Sequence, residues 1–178
     1  MEHLPYVDHL WFGEEFNPDS PPDMYLVEMS GLPFGLSGEL LQDPNPWRGM
    51  LFGLTARAFY TPIDPVPVWR LWDDFGIQHA KMLGYWDAAC PVRTGREDIL
   101  VTVYKKPGKS LVAVASWAKQ PVQCQLQTDW RALGLDPKRA TLVAPALEGY
   151  QEKAAFKPGD PIPVKPGRGW LLVVEESK

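Results

Sequence analysis

The stretch "DILVTVYKKPGKSLVAVASWA", residues 98–118, decides how the second half of this chain folds. Two apolar runs, 98–104 and 110–118, flank "KKPGK" at 105–109. Pro107-Gly108 supplies the backbone angles of a tight turn, so the spacing predicts an antiparallel hairpin. Downstream, "PVQCQLQTDW" (121–130) alternates strictly, with Val122, Cys124 and Leu126 on one face and Gln123, Gln125 and Gln127 on the other. That pattern belongs to a strand with one solvated face. "ATLVAPAL", "IPV" and "GWLLVVEE" follow, separated by the turn sequences "DPK", "KPGD" and "KPGRG". Residues 96–178 are therefore expected to form a small antiparallel β-sandwich domain.

Upstream of Gly95 the pattern changes. "LPYVDHLWF" (4–12) suits a mostly buried strand. In "DMYLVEMSGLPFGLSGELLQ" (23–42), Met24, Leu26, Val27, Leu36, Leu40 and Leu41 fall at helical spacing, and Pro33 with the glycines divides the run into two short helices. "RGMLFGLTARAF" (48–59) again looks strand-like. "DPVPVWRLWDDFGIQHAKML" (64–83) predicts the longest helix, with proline in its first turn and Val68, Leu71, Trp72, Phe75, His79 and Met82 along one face. Strand, helix, strand, helix with short connections predicts parallel β/α units in residues 1–95. The fold class is thus α/β followed by all-β. A closed β/α barrel takes roughly 200 residues or more, so two such units are part of a barrel and not a whole one.

Composition narrows the function. The chain has 178 residues, 45% hydrophobic and 22% charged, which describes a globular protein. Its net charge of −4, with no Lys/Arg cluster, argues against nucleic acid as a partner. No 18-residue apolar run is present, so no membrane partner is expected. No basic segment followed by an apolar one opens the chain. The compartment stays open: cytoplasm if the chain is complete, export if it is part of something longer. Cys90 and Cys124 match no zinc or redox spacing and are expected to be buried and free. No cofactor or metal motif appears. Eight Trp, six Tyr and seven Phe are available either to fill a core or to stack on sugar rings.

In parallel β/α architecture, ligands meet the carboxyl ends of the strands. The first strand ends near Phe12, which puts Glu14 and Glu15 at that rim and Asp8 deeper. Paired carboxylates in such a place suit glycoside hydrolysis, one as acid and the other as base or nucleophile. Adjacent side chains in extended backbone diverge, so at most one of the two glutamates faces a pocket. The competing reading makes both solvated loop charges. Arg57 and Tyr60 fall at the end of the second expected strand. A fixed guanidinium there orients a sugar hydroxyl or, on the competing reading, completes a salt bridge within the rim. Trp11 or Tyr60 is expected within stacking distance of a sugar. Because neighbouring parallel strands stand about 4.8 Å apart, Asp8, Glu14 and Arg57 would reach one pyranose if the two strands are neighbours. His79 is expected to be a satisfied core histidine. Trp86, in the segment joining the halves, is expected to seal their interface.

"YVDHLWFGEEF", "VEMSGLPFGLSGELL", "NPWRGMLFGLTAR", "LWDDFGIQHAKMLGYWD" and "GLDPKRATLVAP" together span most of the chain. In these motifs it resembles the C-terminal part of a family of bacterial glycoside-hydrolase-like proteins, akin to the barrel glycosidases that include β-N-acetylgalactosaminidases. The resemblance implies the last two β/α units of a TIM barrel followed by a C-terminal β-sandwich. It also implies that the substrate's acetamido group is the nucleophile, assisted by an Asp-Glu pair on a middle barrel strand. Glu14-Glu15 is not that pair, so no catalytic residue is carried over, and the chain is expected to be a fragment, a truncated product or a degenerate relative. Three functions compete. The chain is the C-terminal portion of a carbohydrate-active hydrolase, or a non-catalytic glycan-binding or interaction module. The third option is a partial barrel completed by self-association or by an upstream barrel half. A glycan is the expected ligand.

Overall fold

The computed structural model describes residues 6, 9–12, 20–32, 37–40, 45–56 and 64–177. Three short parallel strands come first: β1 (His9–Phe12), β2 (Ser37–Leu40) and β3 (Thr55–Ala56), in the order β1-β2-β3. His9 lies opposite Ser37, and Glu39 opposite Thr55. Among the described residues between β1 and β2 lies one short helix, α1 (Pro22–Met24), which widens into a π-helical stretch over Tyr25–Met29.

This arrangement corrects two expectations. Residues 37–40, assigned to a second short helix, are a strand. Pro33 and the neighbouring glycines stop helix propagation, and the four residues of β2 then take the backbone pairing offered on both sides. The strands carrying the expected rim residues are consequently not neighbours, because β2 lies between them.

The segment read as a strand at 48–59 begins instead with a helix, α2 (Pro46–Leu51). Local chemistry explains it. The Asn45 side chain accepts from the Arg48 backbone N–H at 3.0 Å, and Pro46 occupies the first helical position, where a missing N–H costs nothing. Gly53, at φ 71°, turns the chain out of the helix toward β3. Helix α3 (Val66–Phe75) is shorter than expected. Gly76 takes the left-handed conformation at φ 70° and its N–H returns to Trp72 O at 2.8 Å, closing the helix. A 3₁₀ turn over Ile77–His79 follows, and Lys81–Leu83 becomes strand β4. His79 is exposed, not a core residue, because the helix that would have turned it inward ends four residues earlier, at Phe75.

The rest is dominated by antiparallel sheet. After β5 (Val92–Arg93) comes the hairpin of β6 (Ile99–Lys106) and β7 (Lys109–Ser116), with Gly108 at φ 69° in its turn. Then follow β8 (Val122–Cys124), β9 (Gln127–Thr128), helix α4 (Trp130–Leu133), β10 (Ala140–Ala144), β11 (Ala154–Phe156), β12 (Ile162–Val164) and β13 (Gly169–Glu176). Six strands form one sheet in the order β11-β10-β13-β7-β6-β4, and two small ladders, β12-β8 and β5-β9, stand apart from it. The alternating stretch at 121–130 is therefore shared between both ladders. β4 joins the same sheet as β6, ahead of the boundary expected at 95/96.

Each face of the six-stranded sheet has its own core. On one, Val101, Val103, Val112, Leu142 and Leu172 pack with Cys124, Ile162 and Val164 of the small ladders. On the other, Leu111, Ala113, Ala115 and Leu171 pack with Trp47, Met50 and Leu51 of α2 and with Val68, Leu71 and Phe75 of α3. Cys90 and Cys124 are buried and free, and burial pushes both thiols above their usual pKa.

Candidate functional site

Of the expected rim residues, Asp8, Glu14, Arg57 and Tyr60 lie outside the described residues. Trp11 belongs to β1, opposite Glu39 of β2. With β2 interposed, β1 and β3 stand about 10 Å apart, two strand spacings instead of one. The reach of Asp8, Glu14 and Arg57 to one pyranose across a single strand step is withdrawn.

Five of the six residues of α2, Trp47 to Leu51, are buried. Helix ends leave carbonyls without intrahelical partners, and the sheet supplies donors for them. Thr102 Oγ1 donates to Leu51 O at 2.8 Å, and Tyr104 Oη donates to Met50 O at 2.5 Å. Arg48, only 3% exposed, donates from Nε and Nη2 to Ser116 O at 3.1 and 2.7 Å, and its guanidinium lies 4.4 Å from the Trp117 ring centre. At the opposite end, Asn45 Nδ2 donates to Gly167 O at 2.8 Å, tying the helix to the turn before β13. The helix is clamped to the sheet at both ends and in the middle.

An aromatic stack continues this seam. Tyr25 and Phe52 are stacked at 5.3 Å, and Phe52 and Trp86 at 6.1 Å with planes 5° apart. Trp86 lies flat because Gly84 beneath it has no side chain: a Cβ there would come within 2.4 Å of the indole. Tyr85 meets both Phe52 and Trp86 edge-on, and its hydroxyl donates to Asp23 Oδ1 at 3.3 Å. Burial first, and then the Asp23 charge, push the Tyr85 phenol well above its usual pKa. Trp86 thus packs between the parts, while 40% of its surface stays in solvent.

A cleft of about 470 Å³ opens where β13 begins, between the 149–152 loop and the turn at 165–168. Trp47, Tyr150, Glu152, Lys165, Arg168 and Trp170 line it. The Arg168 N–H bonds Lys165 O at 3.1 Å to close the turn, and Gly167 takes φ 64°. The Arg168 guanidinium sits 5.3 Å over the Trp47 ring, and Tyr150 meets the same ring edge-on at 6.3 Å. Trp170 is fixed separately: its indole N–H donates to Pro163 O at 2.7 Å, and Phe156 packs against it edge-on at 5.5 Å. Gln151 anchors the loop. Its Oε1 accepts from Trp47 Nε1 at 3.3 Å and from Leu171 N at 2.9 Å, while Nε2 donates to Pro145 O and Leu171 O.

The sequence reading missed this cleft. "KPGRG" registered as a strand separator, and what it lacked was the tertiary partner, Trp47, some 120 residues upstream. A tryptophan directly after a turn, with cations within it, was the available signal.

Two family models match the chain. No curated protein matches it. The model of the glycoside hydrolase 123 TIM-barrel domain matches residues 1–59. The model of the glycoside hydrolase 123 C-terminal domain matches residues 64–175, more than half of the chain. Its start at 64 precedes β4, in keeping with the sheet pairing that carries β4 into the antiparallel part. The chain is glycoside-hydrolase-like, and it belongs to the glycoside hydrolase 123 family.

Proposed function

We propose that the chain is the C-terminal portion of a carbohydrate-active hydrolase akin to β-N-acetylgalactosaminidases. In this reading the three parallel strands within residues 1–59 are closing strands of a barrel, and the antiparallel part is a sandwich that holds their ends in place. The observation that carries it is the burial of α2, which falls within the barrel match yet packs on the six-stranded sheet. This reading keeps Asp8, Trp11, Glu14, Arg57 and Tyr60 as its candidate glycan contacts, but not as one group on neighbouring strands. The central acid/base pair comes from a barrel strand outside the match at 1–59, since a whole barrel takes roughly 200 residues or more. A single rim carboxylate without its partner forfeits a factor of about 10² to 10⁴ in rate.

The test is an assay of the purified chain with an aryl N-acetyl-β-galactosaminide. No turnover above buffer is expected. Turnover that disappears in Glu14→Gln would overturn the assignment, because this chain would then carry its own catalytic carboxylate. A second reading, a non-catalytic glycan-binding module, is favoured by one observation: the cleft at Trp47, Arg168 and Trp170 belongs mostly to the antiparallel part, and none of its lining residues belongs to a parallel strand.

A further inference from the structure

We propose that the cleft at the start of β13 binds a sugar residue carrying a carboxylate, a uronic acid within an oligosaccharide. The proposal rests on the carbohydrate-active reading of the chain and names a separate subsite within it. Size comes first. At about 470 Å³ the cleft falls within the range of small-molecule sites, roughly 300–1,000 Å³. A platform comes second. Trp170 is only partly buried, and its orientation is fixed by the bond to Pro163 O and the edge contact with Phe156. A ring held in this way offers its face at little entropic cost.

Charge comes third. Arg168 and Lys165 are both exposed and line the same cleft, against the single carboxylate of Glu152. The Arg168 guanidinium carbon lies over the Trp47 ring, a cation–π attraction that favours keeping the group at the wall of the cleft. Among the described residues, neither Arg168 nor Lys165 has a salt-bridge partner, whereas Arg96, Lys109 and Arg139 each pair with a carboxylate. A planar fork of donors without a carboxylate partner among the described residues matches a carboxylate through two parallel hydrogen bonds. Lys165 adds a second cation, and Glu152 accepts from sugar hydroxyls.

The experiment is calorimetric titration of the full chain with a hyaluronan tetrasaccharide, which carries glucuronate, and with fully N-acetylated chitotetraose, a neutral comparator of the same length. The expected result is binding of the hyaluronan tetrasaccharide at least tenfold tighter than of chitotetraose, weakening as salt is raised. Arg168→Gln, an exposed change that spares the fold, is expected to lose on the order of tenfold toward the acidic sugar and little toward the neutral one. Trp170→Ala is expected to lose both. No binding of the acidic sugar, or equal affinity for it in wild type and Arg168→Gln, overturns the proposal. Binding of both sugars that survives Trp170→Ala overturns this cleft and leaves the carbohydrate-active reading standing. Turnover in the aryl glycoside assay strikes at that reading and not at the cleft.

Discussion

Gly169 gives a clear contest between two effects of opposite sign. It begins β13 opposite Ala115, and a Cβ added there would fall 1.8 Å from the Val114 carbonyl oxygen and 2.8 Å from Trp47 Cβ. Glycine in a strand ordinarily costs about 0.5–1 kcal/mol relative to alanine through backbone entropy, so propensity alone makes Gly169→Ala stabilising. Sterics oppose it. Real Cβ contacts do not fall below 3.0 Å, so the strands must part by more than an ångström. Overpacking of this kind costs about 1–3 kcal/mol, and parting the strands also weakens the Ser116 N–H bond to Arg168 O, now 3.0 Å, at about 1 kcal/mol. The net expectation is a loss of about 2–3 kcal/mol. At a urea slope of about 2 kcal/mol per molar, the unfolding midpoint falls by about 1–1.5 M. Gly108→Ala is the comparison: that Cβ meets nothing within 4 Å, but φ is 69°. Left-handed backbone alone costs an alanine about 1–2 kcal/mol, for a drop of about 0.5–1 M. The steric reasoning is refuted if Gly169→Ala unfolds at or above the wild-type midpoint.

Arg48→Ala removes both donors to Ser116 O and the contact with Trp117, leaving a buried carbonyl without its cation. The orphaned acceptor and the lost cation–π contact together cost about 2–4 kcal/mol, read as a lower urea midpoint; Arg48→Lys restores little, since an ammonium lacks the planar fork. At high pH the tyrosines govern stability. Burial lifts the Tyr104 phenol, and burial followed by the Asp64 charge pushes that of Tyr150 up to about 12. Folding favours the neutral phenols, so this contribution is intact below the unfolded value near 10 and is lost as pH rises through the folded values. Ultraviolet titration of phenolate should therefore show these tyrosines ionising only with cooperative unfolding; smooth titration at pH 10 in a folded chain contradicts the burial.

The legible parts of the chain were those with local causes. The β6–β7 hairpin follows from two apolar runs around Pro107-Gly108, and the inward face of 122–126 from its alternation. Where β8 ends and β9 begins could not be read, because the choice depends on which separate ladder covers each piece. The start of α2 has a local signal in the sequence. Asn45-Pro46 is a helix-start signal, but the glycines and apolar residues that follow it suit a strand equally well until the sheet is there to bury them. Gly76, likewise, was a stop signal overridden by the apolar spacing continuing through His79 and Met82. Strand order among β1, β2 and β3 was beyond reach, since parallel pairing leaves no turn residue to mark the neighbour. The cleft at Arg168 failed to register because its walls come from three distant segments.

The burial of α2 also bears on how the two family domains travel through evolution. Residues 46–51 lie within the barrel match, yet their side chains complete the core of a sheet that lies within the other match. A gene rearrangement cut at the boundary between the matches would leave the second domain with an open apolar trough where Trp47, Met50 and Leu51 had been. It would also strand the donors of Thr102 and Tyr104 without acceptors. Such a domain is a poor candidate for shuffling onto unrelated partners. Its inheritance is expected to be linked to that of the barrel, with α2 as the segment that any successful transplant must carry along.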